Sequence, residues 1–97
     1  MIRCIKVRRY EKNTLRGFVD LELLCVGLVL RDCTWHEKNG EEWISFPSRS
    51  YEGDDGATRW QPLIEFAAGT RQARAQFQRQ AIAAIHIFTE QDRGSAS

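Results

Sequence analysis

Few residues in this chain carry reactive groups, and their spacing restricts what they can do. His36 and His86 are its imidazoles, the side chains best suited to proton transfer near neutral pH. Neither has an obvious serine or cysteine partner in local sequence, and His86 falls beside an apolar stripe of helical spacing. Cys4, Cys25 and Cys33 contain no C-x-x-C pair. Cys33 and His36, three apart on a strand, point to opposite faces, so a zinc site is not expected. The pairs Glu41-Glu42 and Asp54-Asp55 lie at turns and lack the alternating ligands of a calcium loop. Gly53-Asp54-Asp55-Gly56 is too acidic to cradle phosphate. These residues predict no catalysis, no metal and no cofactor.

Aromatic and basic side chains offer a different chemistry. Trp35, Trp43, Phe46, Tyr51 and Trp60 are interleaved with Arg31, Arg49 and Arg59. Rings that stack on bases and cations that follow phosphates are the means by which single-strand binders work. The net charge is only +1, so attraction for a polyanion must come from the placement of charge. That placement is uneven. Arg3, Lys6, Arg8, Arg9, Lys12 and Arg16 crowd the first sixteen residues against Glu11 alone, whereas most acids lie in the middle of the chain.

The elements that must position these groups follow from periodicity. Residues 2–10 read as a strand with Lys6 and Arg8 on one face and Ile5 and Val7 on the other, ended by a turn at 11–14. Leu15, Gly17, Val19, Leu21 and Leu23 then alternate with Arg16, Phe18, Asp20 and Glu22, which is a strand with one wet face and one aromatic, Phe18, out of place on it. A third strand is expected over 26–35. The Asn39-Gly40 pair marks a hairpin into a fourth strand over 42–46, ended by Pro47. Residues 50–57 read as a loop or hairpin tip, and 58–66 as a fifth strand with Pro62 favouring an edge. From Arg71, behind an N-cap at Thr70, the period changes to that of a helix. Phe77, Ala81, Ala84, Ile85 and Phe88 form its apolar stripe, and Arg71, Arg74 and Gln78 a second one.

The sequence thus predicts an α+β fold: an antiparallel sheet of about five hairpin-linked strands, followed by one C-terminal helix packed on it. Residues 1–90 form a single domain and 91–97 a flexible tail. A chain of 97 residues makes a thin core, which dimerisation would supplement. The odd cysteine count, the absence of a signal-like run at the start and the lack of a spanning stretch point to a reducing cytoplasm and no membrane partner.

Over about nine-tenths of its length the chain resembles the SpoVG family of bacterial septation and sporulation regulators. The resemblance is carried by Ile5-Lys6-Val7-Arg8-Arg9, Leu30-Arg31-Asp32-Cys33, Asn39-Gly40, Phe46-Pro47-Ser48-Arg49, the acidic loop Glu52-Gly53-Asp54-Asp55-Gly56, and Pro62-Leu63-Ile64. Its most specific part is the Pro-Ser-basic motif. It implies a small α+β fold that dimerises through its sheet and binds DNA or RNA. Matched position makes Ser48 and Arg49 motif residues and Arg71 and Arg74 backbone contacts. The chain departs from the family at Ser50-Tyr51, in its longer acidic loop, and at Trp60.

Together these readings predict a non-catalytic, nucleic-acid-binding regulator acting as a homodimer. Lys6, Arg8, Arg9, Lys12, Arg16, Arg59, Arg71 and Arg74 would serve phosphates, and Ser48 with Arg49 would form the motif. Tyr51 and Trp60 would stack on bases. The alternative is a protein-interaction dimer without nucleic-acid binding. It is favoured by the low net charge and by a structural role for Pro47-Ser48-Arg49 in which Arg49 pairs with Asp54 or Asp55.

Overall fold

Alternation builds the main sheet. Strand β1 (Ile2–Lys12) turns at Asn13, held at φ 56°, into β2 (Leu15–Leu23). A short side chain that can bond its own backbone makes this left-handed conformation tolerable. β3 (Leu28–Lys38) and β4 (Glu41–Ser45) are joined by Asn39 and Gly40, both at positive φ (55° and 85°), the two-residue turn whose twist matches that of a hairpin. The four strands pair antiparallel in the order β1-β2-β3-β4. β5 (Ser48–Glu52) and β6 (Thr58–Pro62) form a separate two-stranded sheet, and α1 (Arg71–Ser95) closes the chain. The computed structural model describes residues 1–95, with side chains as far as Gln91; residues 96–97 of the expected tail lie outside the described residues.

The α+β class and the helix packed on an antiparallel sheet are as the sequence predicts. The strand count is six rather than about five, because β5 forms over residues 48–52, of which 50–52 are expected in a loop or hairpin tip. Every residue of β5 and β6 is exposed, so neither strand has the one-sided hydrophobic pattern that reveals a strand in sequence. The fifth expected strand stops at Pro62, four residues early, and the third starts at Leu28 because Gly27, at φ 70°, belongs to the preceding turn.

The helix defines the two faces of the main sheet. Its stripe of Ala81, Ala84 and Ile85, with Phe77 and Phe88 beside it, packs on Cys4, Val19, Leu21, Cys33, Trp35 and Ile44. Residues alternating with these point away from the helix. Gly17 lets β1 and β2 close together on the covered side, since a Cβ there would stand 2.6 Å from the carbonyl oxygen of Arg8. At the far edge, the Gln78 amide accepts from the Ile44 N–H (2.7 Å) and donates to the Ile44 carbonyl (2.9 Å). A glutamine from the helix thereby stands in for a neighbouring strand. Thr70 precedes the helix as expected, but its hydroxyl donates back to the Ala67 carbonyl (2.5 Å). Among the described residues no helix is long and apolar enough to cross a membrane.

Candidate nucleic-acid interface

Side chains directed away from α1 form an uncovered sheet face of mixed aromatic and basic character. Phe18, from the middle of β2, lies at its centre. The Arg8 guanidinium of β1 stands 4.8 Å from the Phe18 ring centroid and the Tyr10 ring 6.3 Å away. Pairing of Arg8 with Phe18 and of Lys6 with Asp20 puts both cations on this face. Neither cation makes an ion pair among the described residues, and a small pocket of about 30 Å³ opens between Lys6, Arg8, Phe18, Asp20 and Asp32.

A second aromatic station lies across β3 and β4. His36 and Trp43 face one another across the hairpin and stack at 5.3 Å with planes 7° apart. Both nitrogens of His36 are engaged, Nδ1 by the Thr14 hydroxyl (3.0 Å) and Nε2 by the Thr34 hydroxyl (2.9 Å). A neutral ring satisfies this pair by accepting from one hydroxyl and donating to the other. Burial lowers the His36 pKa and favours that neutral form. Phe18 on β2 and Trp43 on β4 are two strands apart and two residues out of register, which sets them about 12 Å from one another.

The bend of this face is fixed by Asp20. Opposite it, β1 carries one extra residue around Ile5 and β3 one extra around Arg31 and Asp32. Asp20, 6% exposed, accepts from the Arg31 guanidinium (2.9 Å) and from the Asp32 backbone N–H (3.0 Å), Asp32 being held at φ 58°. Paired bulges increase strand twist and re-aim the side chains beside them.

The residues singled out from sequence divide among three places. Lys6 and Arg8 lie on the uncovered face, with Lys12 exposed at the end of β1. Arg9 points to the opposite face, over the Trp35 ring at 5.7 Å. Arg16 donates to Glu37 (3.1 Å), so its charge is paired. Ser48, Arg49, Tyr51, Arg59 and Trp60 belong to the β5–β6 arm, where Tyr51 is 45% and Trp60 67% exposed. Arg59, not Arg49, makes the ion pair with Asp55 (3.1 Å). Arg71 and Arg74 occupy the start of α1, with Arg74 5.7 Å from the Phe66 ring. One groove of about 430 Å³ brings Ser48, Trp60 and Arg74 together beside Phe46 and Phe66.

The aromatic set expected to act together is therefore dispersed. Trp35 is core, Trp43 lies on the uncovered face, Phe46 packs against Phe66 and Phe77, and Tyr51 and Trp60 stand on the arm. Phe18 and Tyr10 take the central place, and the signal for Phe18 was its position out of phase in a strand. The His36–Trp43 pair could be found by counting back from the two-residue turn at Asn39-Gly40.

The other histidine and the buried thiols are engaged elsewhere. His86 contacts Glu42 (2.7 Å), whose other oxygen accepts the Trp35 indole N–H (3.0 Å). Burial pushes the Cys4 thiol up to about 11 and, with Asp20 and Asp32 nearby, the Cys33 thiol to about 12, so both remain protonated at neutral pH. Among the described residues no three His, Cys, Asp or Glu side chains gather to hold a metal ion. Compared with protein-family models, curated proteins and solved structures, the chain matches none.

Proposed function

We propose that the protein is a non-catalytic, nucleic-acid-binding regulator that acts as a homodimer and holds its ligand on the uncovered face of the four-stranded sheet. The observation that carries this reading is Phe18, presented on a helix-free sheet face with the Arg8 guanidinium 4.8 Å from its ring. Stacking on a base is insensitive to sequence because every base has a π face. Lys6, Arg8 and Lys12 supply the phosphate contacts, and Trp43 a second platform. The resemblance to SpoVG regulators, carried by the Pro47-Ser48-Arg49 motif, points to the same class of ligand.

Fluorescence anisotropy of labelled single- and double-stranded DNA and RNA, titrated with protein at two salt concentrations, tests this. Micromolar or tighter binding that weakens with salt is expected. Phe18→Ala should weaken it by about tenfold or more, the scale of one lost base stack, while leaving the fold intact by circular dichroism. Binding to none of the four ligands at low salt would leave the protein-interaction dimer as the better reading.

A further inference from the structure

We propose that the groove between the β5–β6 arm, the end of β4 and the start of α1 binds a free aromatic amino acid, with Arg74 on its carboxylate and Glu65 on its ammonium. This goes beyond the nucleic-acid reading and does not depend on it, since none of Lys6, Arg8, Phe18 and Trp43 lines the groove.

The groove is built where four segments meet. Ile44 and Phe46 line it from the end of β4, Trp60 and Pro62 from the arm, and Ile64 and Phe66 from the connection into α1. Phe66 is folded back so that its ring lies 5.6 Å from Phe46 and 5.5 Å from Phe77, which are themselves 5.1 Å apart. Three rings in mutual contact make an apolar wall that is already ordered, so a ligand need not immobilise it. Trp60, 67% exposed, stands at the opposite wall. At about 430 Å³ the space has the size and the mostly apolar lining of a small-molecule site.

Two opposite charges enter this apolar setting. Arg74, in the first turn of α1, stands 5.7 Å from the Phe66 ring, and Glu65 immediately precedes that ring in the chain. Both line the groove, yet the ion pairs among the described residues are made by other side chains. An anion alone would meet Glu65, and a cation alone would meet Arg74, so the groove selects a ligand that carries both charges. A phosphodiester is disfavoured on the same ground. An α-amino acid holds its ammonium and carboxylate on one carbon, and an aromatic side chain from that carbon fills the space between Trp60 and Phe66. The Ser45 and Ser48 hydroxyls also line the groove and add donors for the carboxylate. Gln78 is committed to Ile44 and serves only as lining.

Nuclear magnetic resonance of the isotope-labelled full chain, titrated with L-phenylalanine, tests the site. Saturable shifts of the Trp60 indole N–H and of the Ser48, Glu65 and Arg74 amides are expected, with an affinity of about 1 mM or tighter. The Trp35 and Trp43 indoles should stay in place. Phenylpropanoate lacks the ammonium, phenethylamine the carboxylate and alanine the ring, and each should bind about tenfold or more weakly. Arg74→Gln and Glu65→Gln, both at exposed positions, should keep the fold and bind L-phenylalanine about tenfold less tightly. Glu65→Gln should also accept phenylpropanoate at least as well as L-phenylalanine, a reversal that mere damage to the groove would not produce. Groove signals unmoved by L-phenylalanine overturn the proposal. So does equal binding of either singly charged analogue to the wild type. Equal binding of N-acetylphenylalaninamide, which carries neither charge, also overturns it and assigns the groove to a peptide segment.

Discussion

His36 is the residue on the uncovered face whose charge is most open to pH. Its ring is clasped between Thr14 and Thr34 and stacked on Trp43, and burial places its pKa below the usual 6.5. In the unfolded chain the imidazole takes up its proton first as pH falls, so the unfolded state binds more protons in the window between 6.5 and the lowered native value. Stability is therefore full above about pH 6.5 and declines through that window, levelling off once the folded ring is also protonated. Urea midpoints measured from pH 7.5 to 5 should fall more for the wild type than for His36→Asn, which has no proton to gain there. Equal slopes for the two proteins would mean that the ring is not held neutral by the fold. Cys4 and Cys33 are the opposite case: burial pushes their thiols up to about 11 and 12, so they carry no charge across this range and pack on the covered side.

Strand β2 shows how one element serves both faces at once. Gly17, Val19 and Leu21 face the helix, Phe18 faces outward, and Gly17 allows β1 to lie close enough for Arg8 to reach the Phe18 ring. A methyl group at Gly17 would meet the backbone of Arg8 and Arg9, which cannot swing aside as a flexible side chain would. Gly17→Ala should cost about 1–3 kcal/mol, as overpacking does, and a thermal or urea melt measures it; an unchanged midpoint would show that the strands separate freely. Much of this architecture was legible in the residues. Strict alternation in 15–23 revealed β2 and its misplaced Phe18, Asn39-Gly40 fixed the β3–β4 turn, and the spacing of Phe77, Ala81, Ala84 and Ile85 gave the helix and its buried side. β5 was not legible, because a strand exposed on both faces has no hydrophobic period. The dispersal of the aromatics was hidden for a related reason: neighbours in sequence such as Trp35 and Trp43 part when cross-strand register sends them to opposite faces. Gln78 looked like one polar residue among many, and its role at Ile44 depends on how the helix lies against β4.

The whole molecule measures 54 × 30 × 27 Å and carries almost no net charge, so long-range attraction contributes little to binding. Affinity must come from a few local cations and from stacked rings, and that combination has a characteristic salt response. Each phosphate contact on a single strand contributes a slope of about −0.7 to the plot of log K against log salt. Lys6, Arg8 and Lys12 together then predict a slope of about −2 for an oligonucleotide short enough to occupy one sheet face. Stacking adds affinity without steepening it. Arg8→Ala should flatten the slope by about 0.7 and also weaken binding at high salt, since it removes the guanidinium beside Phe18 as well as a phosphate contact. Phe18→Ala should lower affinity by a similar factor at every salt concentration. A wild-type slope of about −4 or steeper would bring the separate cations of the arm and helix start, Arg49, Arg71 and Arg74, into the interface. The ligand would then have to run past the sheet face into the groove between Ser48, Trp60 and Arg74. A slope near −2 that loses one contact's worth in Arg8→Ala confines it to the sheet.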